Sequence, residues 1–458
     1  MRHVLLLLIG FIACGSQAAG LPSDADIHRI IEQRVLAIAG PEGGMGIVVG
    51  VLDDKGPRVV AYGDTGGSDR RPLNGDTAFE IASVTKVFTA LLFADMVRTG
   101  DLALTDPVAK YLPDSNGRSM TLVDLATHTA GLPFMPDNLT AIMESRAASY
   151  SKRDLYGFIA SRPLSDDIGS KWAYSNLDYW LLQEVIAARA GADFGQVLQS
   201  RLLTPLGLRN TAATWSPELK ARAAAGHDAA LQPAPDIASV PVFNLMPAAG
   251  GMVSTANDLL KFLSRVMGYQ DTTLAPSMAA LLQTRRPAGG REQALGWWII
   301  GAGEDAIVFH DGGSFGFSSS LAWQPQRRVG VVVLSNQTTG AGDIARHLLQ
   351  PSVPLGQPKR ARRSEISLDA AVLDRYVGRY DMQDEGVVVI GRQDTLLTIE
   401  LPASWGLPKL RLHAEKEREF FTTELPLQAT FEVDANGRVT GMLVQPPRAQ
   451  ATIHARRL

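Results

Sequence analysis

Ser83 and Lys86 stand three residues apart in Glu80-Ile-Ala-Ser83-Val-Thr-Lys86-Val-Phe-Thr-Ala-Leu-Leu-Phe-Ala-Asp. Helical spacing puts both on one face at the mouth of an apolar helix. The N-terminal end of a helix favours negative charge developing at the hydroxyl, and a lysine in a partly desolvated pocket loses proton affinity and can help to activate it. This is the chemistry of a nucleophile that forms an acyl-enzyme. A plain N-cap serine followed by a solvated lysine would look the same, so the spacing alone is weak. A second match, Ser149-Tyr-Ser-Lys152, lies in a polar stretch with no apolar helix behind it and is read as chance. Gly312-Gly-Ser314-Phe-Gly316 offers a rival, the Gly-x-Ser-x-Gly nucleophile elbow. That elbow needs a helix next, then an acid and a histidine on later loops. Ser318 to Trp323 reads instead as a strand, and Asp343 and His347 share one short helix, so Ser314 is set aside.

The elements that must position Ser83 are drawn from a chain of 458 residues, 45% hydrophobic and 20% charged, enough for an ordinary globular core and for two or three domains. With 44 basic against 47 acidic residues there is no field for holding nucleic acid. The single cysteine, Cys14, excludes a disulfide framework and a thiolate zinc site. It also falls in a leader. Met1-Arg2-His3 is a short positive start, Val4 to Ala13 is apolar apart from Gly10, and Ser16-Gln17-Ala18 supplies small residues for cleavage. Residues 1–18 are therefore read as a signal peptide of a periplasmic or secreted protein. Phe11-Ile12-Ala13-Cys14 also resembles a bacterial lipobox, which would anchor the chain to a membrane through a lipidated Cys14. Phe is uncommon at its position, and the discarded signal is preferred.

Beyond the leader, Ile27 to Ile38 has helical spacing. Gly46 to Leu52 and Arg58 to Tyr62 read as strands joined by the turn Asp53-Asp54-Lys55-Gly56. Residues 84 to 98 form an amphipathic helix ended by Gly100, and about 100 to 265 is helix and loop without a convincing strand. Strands return at Ala306 to His310, Ser318 to Trp323 and Val329 to Ser335, before a helix from about Gly342 to Leu349. Sheet, helical insert and sheet again outline one domain over 19–350. Residues 351–365, rich in proline and charge, read as a linker. From 366 to 458, Tyr376 to Tyr380, Gly386 to Gly391, Leu396 to Leu401, Phe420-Phe421, Ala429 to Val433 and Val439 to Val444 are turn-separated strands of a small antiparallel barrel or sandwich.

An ordered set of further motifs follows Ser83 and Lys86: Thr127-His128-Thr129-Ala130-Gly131-Leu132-Pro133, Tyr174-Ser175-Asn176, Pro205-Leu206-Gly207-Leu208, Gly250-Gly251-Met252-Val253-Ser254-Thr255 and His310-Asp311-Gly312-Gly313. Over roughly residues 25 to 350 the chain resembles the class C β-lactamase and penicillin-binding-protein-like family of serine hydrolases. The resemblance implies an α+β fold: a β-lactamase/transpeptidase-like mixed sheet flanked by helices, an all-helical lobe, and a site in the cleft between them. The later part resembles the lipocalin-like C-terminal domain of some members.

Carried over, the resemblance makes Ser83 the nucleophile, Lys86 its activating partner and Tyr174 the general base. A phenol beside a cationic lysine ionises more easily, which suits that role. Asn176 would orient the acyl-side amide of the substrate. His310, Gly312 and Gly313 would line the substrate on an edge strand, with the N–H of Gly313 joining that of Ser83 as the oxyanion hole. His128 is read as holding a loop, and Gly207, Gly250 and Gly251 as turn residues. No metal or cofactor is called for. The expected activity is hydrolysis of D-amino-acid peptides, as by a D-alanyl-D-alanine carboxypeptidase, or of β-lactam-like amides. The alternatives are a carboxylesterase of the same family and a penicillin-binding, peptidoglycan-sensing protein with little turnover. The expected partners are a small peptide, β-lactam or ester, with peptidoglycan a further candidate. The departure from the β-lactamase pattern is His310, where class C β-lactamases usually carry lysine, and histidine there is common among the family's peptidases and esterases. With an ordinary pKa near ~6.5 it would grip a substrate carboxylate only on the acid side.

Overall fold

The computed structural model describes residues 20–458 apart from 42, 114–119, 140–149, 163–166, 236–243, 340–341, 358–364, 403–404, 406, 424–426 and 446–451. The leader read at 1–18, Ser149 and part of the expected linker lie outside the described residues. Among those described, no helix is long and apolar enough to cross a membrane.

The first unit is built on one sheet. Its strands are β1 (Gly46–Asp53), β2 (Gly56–Gly63), β5 (Arg286–Pro287), β6 (Glu292–Gln293), β7 (Trp298–Ile300), β8 (Ile307–Gly313), β9 (Ser318–Gln324) and β10 (Val329–Ser335), in the order β2-β1-β10-β9-β8-β7-β6-β5. Two further strands, β3 (Ala78–Glu80) and β4 (Val253–Thr255), form a separate short ladder. Every neighbouring pair in the large sheet runs antiparallel, so it is not the mixed sheet expected. Successive strands on the β5-to-β10 side follow one another without a helical crossover, and parallel pairing needs such a crossover. The first strand is joined to the last, with Ile47 opposite Ser335.

Period-two alternation explains how this sheet is buried on both faces. Val48 and Leu52 of β1 and Val332 and Leu334 of β10 enter one apolar core. Ile47, Val49, Val51, Val331 and Val333 enter another, which they share with the Asp24–Ala39 helix (Ile27, Ile31, Val35, Ile38) and the Gly342–Leu349 helix (Ile344, Leu348). The first core is the larger and joins the sheet to the helical part of the unit. Its axis is the Thr85–Arg98 helix, in which every residue from Thr85 to Met96 is buried. This helix is therefore a central one, not the amphipathic helix its sequence suggested: a helix enclosed all round has no solvent-facing side.

The second unit is a closed barrel of β11 (Gly378–Asp381), β12 (Val387–Gln393), β13 (Leu396–Glu400), β14 (Leu410–Ala414), β15 (Glu419–Phe421), β16 (Gln428–Val433), β17 (Val439–Gln445) and β18 (Ile453–Arg457). All of its pairings are antiparallel, and β18 returns to β11. Its core contains Tyr376 stacked on Phe431 with ring centres 4.4 Å apart, and Phe420 set edge-on to Phe431.

Candidate active site

Ser83 lies in a 3-10 turn, Ala82–Val84, that feeds the central helix. Ala82 has φ 44°, a left-handed conformation that costs an L-residue roughly 1 kcal/mol and that the surrounding packing must hold. Lys86 follows one helical turn later and is fully buried. Its Nζ stands 3.1 Å from Ser83 Oγ, 2.8 Å from Asn176 Oδ1 and 2.5 Å from the carbonyl oxygen of Ala249. An ammonium has three protons to donate, and three oxygens surround this one. The phenol of Tyr174 donates to Ser83 Oγ at 2.9 Å, and Lys86 Nζ lies 5.0 Å from the centre of its ring.

Tyr174 is held from behind. The N–H groups on either side of it, those of Ala173 and Ser175, donate to the carbonyl oxygen and to Nδ1 of His128 at 2.8 and 3.2 Å. The imidazole packs on the phenol ring at 4.5 Å and stands 3.0 Å from Asp178 Oδ2. Ser175 caps the Asn176–Ala190 helix by accepting from the N–H of Asp178. Burial, followed by the charge of Lys86, holds His128 well below its ordinary pKa, and burial holds Asp178 well above. Both shifts favour the uncharged forms of the pair behind the tyrosine. His128 does hold a loop, and that loop is the one carrying Tyr174.

His310 is wholly buried, with Nδ1 2.8 Å from the carbonyl oxygen of Asp311 and its ring stacked on Trp298 at 4.4 Å. Its Nε2 meets no hydrogen-bond partner among the described residues. Burial and the nearby charge of Lys86 push its pKa down to about 3. This corrects the expected pH-sensitive imidazolium: the ring stays uncharged at mildly acid as well as neutral pH, because a cation there is penalised by desolvation and by Lys86. The strand position is as expected in part. β7 covers only the first three residues of β8, so His310, Asp311, Gly312 and Gly313 lie past its end.

Gly312 is where β8 comes closest to the serine turn. A Cβ there would fall inside van der Waals contact with the carbonyl oxygen of Ile81 and with Ser319 Oγ, and 3.1 Å from the N–H nitrogen of Ser83. Ser319 Oγ itself donates to that Ile81 oxygen at 2.7 Å. Gly251 is likewise a close-approach residue, a Cβ there falling 2.9 Å from the Cα of Pro247, whereas Gly250 has room for one; neither is a left-handed turn. Gly207, at φ 61°, is the turn expected.

Ser314 is engaged elsewhere, donating to Glu80 Oε2 at 2.7 Å, and β9 follows it where an elbow needs a helix. Asp343 pairs with Arg34, and His347 Nδ1 meets the carbonyl oxygen of Val353, so no relay reaches Ser314. Sequence reasoning missed Ala249, whose carbonyl the Gly250-Gly251 motif places on Lys86, and Asp178, which lies two residues past Asn176. It also missed Trp298 and Arg291, for which no spacing gave a signal.

A buried serine and lysine with a half-buried tyrosine, both of the latter reaching the serine oxygen, form the equipment of a serine hydrolase. Residues 36–350 match the family model described as Beta-lactamase, and the chain belongs to that family. Residues 362–457, which include the barrel, match a domain of unknown function (DUF3471). D-alanyl-D-alanine-carboxypeptidase/endopeptidase AmpH of Escherichia coli strain K12 is 28% identical over 339 residues, 67% of this chain and 85% of that one. Penicillin-binding protein 4* of Bacillus subtilis strain 168 is 26% identical over 388 residues, covering 80% and 84%. The crystal structure of a class C beta lactamase from Rhodobacter sphaeroides superposes with a TM-score of 0.61 at 26% identity, over 72% of this chain and 97% of that one. A class C beta-lactamase in complex with cefoxitin superposes with a TM-score of 0.63 at 20% identity, over 72% and 98%, a likeness of fold.

Proposed function

We propose that the protein is an exported serine hydrolase that acylates Ser83 and acts on D-amino-acid peptides of the D-alanyl-D-alanine type. The observation that carries this is the convergence of Lys86 Nζ and Tyr174 Oη on one serine oxygen, at 3.1 and 2.9 Å. Ringed by oxygen acceptors, Lys86 serves as the resident cation. Tyr174, as phenolate beside it, takes the proton of Ser83 as Oγ attacks the carbonyl carbon. The N–H groups of Ser83 and Gly313 receive the oxyanion. Tyr174 then returns the proton to the leaving nitrogen, and water repeats the sequence in reverse to release the acid. Asn176, whose Oδ1 is occupied by Lys86, turns its amide nitrogen to the acyl side of the substrate. His310, neutral, offers Nε2 to the substrate as a hydrogen-bonding group without charge.

The relatives named as a D-alanyl-D-alanine carboxypeptidase and a penicillin-binding protein support this substrate class. The uncharged His310 favours carboxylesterase action as a second reading. Parallel turnover of a D-alanyl-D-alanine peptide, a chromogenic cephalosporin and a short-chain aryl ester separates these: fastest kcat/KM on the peptide is expected. Turnover of the ester alone would replace the peptidase reading with the esterase. A stoichiometric burst without steady state on all three would make the protein a penicillin-binding sensor of peptidoglycan.

Export rests on the leader at residues 1–18. The mature chain is expected to begin near Ala19, as read by intact mass of protein recovered from the cell envelope or medium; cytoplasmic protein retaining Met1 would overturn it, and a lipid mass on Cys14 would select the anchored form. The division into a hydrolase domain (19–350) and a barrel domain (366–458) is supported by separate apolar cores. A chain truncated near Pro351 is expected to stay folded and to be labelled by a fluorophosphonate probe at the full-length rate. A folded truncation that fails to label would show that the barrel completes the site.

A further inference from the structure

Nδ1 of His128 is approached from two sides. The N–H of Ser175 points at it from 3.2 Å, and Asp178 Oδ2 lies 3.0 Å away. A neutral imidazole has one ring nitrogen that donates and one that accepts. A backbone N–H can only donate, so Nδ1 is the accepting nitrogen and carries no proton. Between it and an ionised Asp178 there would then be two facing lone pairs at hydrogen-bond distance. An imidazolium beside a carboxylate fails as well, because its Nδ1–H would face the N–H of Ser175. The contact is bonded when Asp178 is a carboxylic acid whose O–H donates to Nδ1. Nε2 has no partner among the described residues in either form and does not decide between them.

The other carboxyl oxygen agrees. Asp178 Oδ1 is buried with no hydrogen-bond partner among the described residues. A carboxylate would leave charge on that unbonded atom, whereas an acid leaves a neutral carbonyl. Tyr179, with its ring centre 5.2 Å from the imidazole, gives its O–H to the carbonyl oxygen of Ala126 at 3.1 Å and offers the couple no proton. Burial first, and Asp124 of the Leu122–Ala126 helix after it, hold Asp178 protonated against the pull of Lys86. After burial, Lys86, His310 and Arg291, the last with its guanidinium 4.1 Å from the Trp298 ring centre, all disfavour a charged His128.

The charge of this couple matters because the imidazole lies against the phenol, with ring centres 4.5 Å apart. A carboxylate behind it would offset the charge of Lys86 and oppose ionisation of Tyr174, the event that makes the base. A carboxylic acid fixes the same backbone without adding charge. His128 itself is held at φ 58°, a left-handed conformation disfavoured for a residue with a Cβ, with its carbonyl oxygen accepting from the N–H of Ala173.

We infer that Asp178 is a positioning residue that works as a carboxylic acid: its O–H keeps Nδ1 of His128 as the acceptor for the Ser175 N–H, and so aims Tyr174 at Ser83 without negative charge behind the phenol. This rests on the reading of Tyr174 as general base and extends it to the group that holds that base. The reacting atoms stay with Ser83, Lys86 and Tyr174.

The experiment has a kinetic and a spectroscopic arm. In the first, the rate of labelling by a fluorophosphonate probe is followed against pH in wild type, Asp178→Asn, Asp178→Ala and Tyr174→Phe, with a thermal melt of each. Asparagine is neutral and its Nδ2–H can donate to Nδ1 as the acid does. Asp178→Asn is therefore expected to label at nearly the wild-type rate with an unmoved pH profile. Asp178→Ala is expected to label about 10²-fold more slowly, the effect of a base displaced by about 1 Å. Tyr174→Phe is expected to be slower by about 10²- to 10⁴-fold, the value of a general base. In the second arm, infrared spectra of protein carrying isotope-labelled aspartate are expected to show at neutral pH the carbonyl stretch of a protonated carboxyl, lost in Asp178→Asn and in Asp178→Ala.

An ionised Asp178 gives the opposite pattern. Removing its charge in Asp178→Asn would ease deprotonation of both Lys86 and Tyr174, moving the profile to lower pH, and the infrared band would be missing; either result overturns the inference. A folded Asp178→Ala that labels at the wild-type rate, while Tyr174→Phe is slow, overturns the positioning role and leaves the tyrosine reading standing. Labelling of Tyr174→Phe at the wild-type rate overturns the tyrosine reading and the positioning role with it.

Discussion

Ser83→Ala is expected to abolish covalent labelling by penicillin and by fluorophosphonate and to lower kcat/KM by at least about 10⁴-fold, because no other group can form the acyl-enzyme. The fold should tolerate the change. Ser83 is a small, largely buried side chain, and removing its hydroxyl leaves Lys86 with Asn176 Oδ1 and the Ala249 carbonyl oxygen. Ser314→Ala is the informative partner. It breaks a hydrogen bond to Glu80 and should cost stability of about 1 kcal/mol while keeping the label. Mass spectrometry of the labelled peptide decides the matter, and a label on Ser314 would overturn the assignment of the nucleophile.

The second large effect is expected from a single added methyl group. Gly312→Ala would drive its Cβ into the carbonyl oxygen of Ile81 and into Ser319 Oγ. Ser319 can rotate away only by giving up its bond to that same oxygen, and the Ile81 oxygen belongs to the backbone that begins the serine turn. The strand and the turn must therefore separate. Overpacking of this kind costs about 1 to 3 kcal/mol, and parting the N–H of Gly313 from that of Ser83 costs about 10²- to 10³-fold in kcat, the value of one oxyanion donor. A thermal melt and single-turnover acylation measure the two parts. A variant that acylates at the wild-type rate would show that the oxyanion is not held between these elements.

Much of this was legible in the chain because it is written in local rules. Strands β8, β9 and β10 and the Gly342–Leu349 helix lie where apolar runs and turn residues put them, since each is bounded by residues that cannot continue it. Two barrel strands were not foreseen. Leu410–Ala414 does alternate, but Arg411 and His413 make it look like charged loop, and Ile453–Arg457 turns only Ala455 fully inward. The central helix misled for the opposite reason: sequence shows polar residues such as Thr85, Lys86 and Asp95, and only the fold shows that they are enclosed. The site divides in the same way. Ser83, Lys86, Tyr174 and Asn176 sit in motifs, whereas Arg291 and Trp298 become neighbours of His310 through strand pairing and ring stacking, which leave no pattern in one dimension. The charge of His310 was misjudged because burial and Lys86, both properties of the folded state, decide it.

The pairing of Ile47 with Ser335 has a consequence for the order of assembly. The β1–β2 hairpin can form as soon as it is made, yet the strand that completes its other side is synthesised only after the whole helical insert and the rest of the sheet. Contacts between residues so distant in sequence are slow to form, because the long loop must be closed before they repay its entropy. Until β10 arrives, β1 keeps an unpaired side and its Ile47, Val49 and Val51 lack their partners Val331 and Val333. The nascent hydrolase unit is thus prevented from reaching its final form during most of its synthesis, and a chain that stays unfolded that long can still be threaded, end first, through a narrow channel.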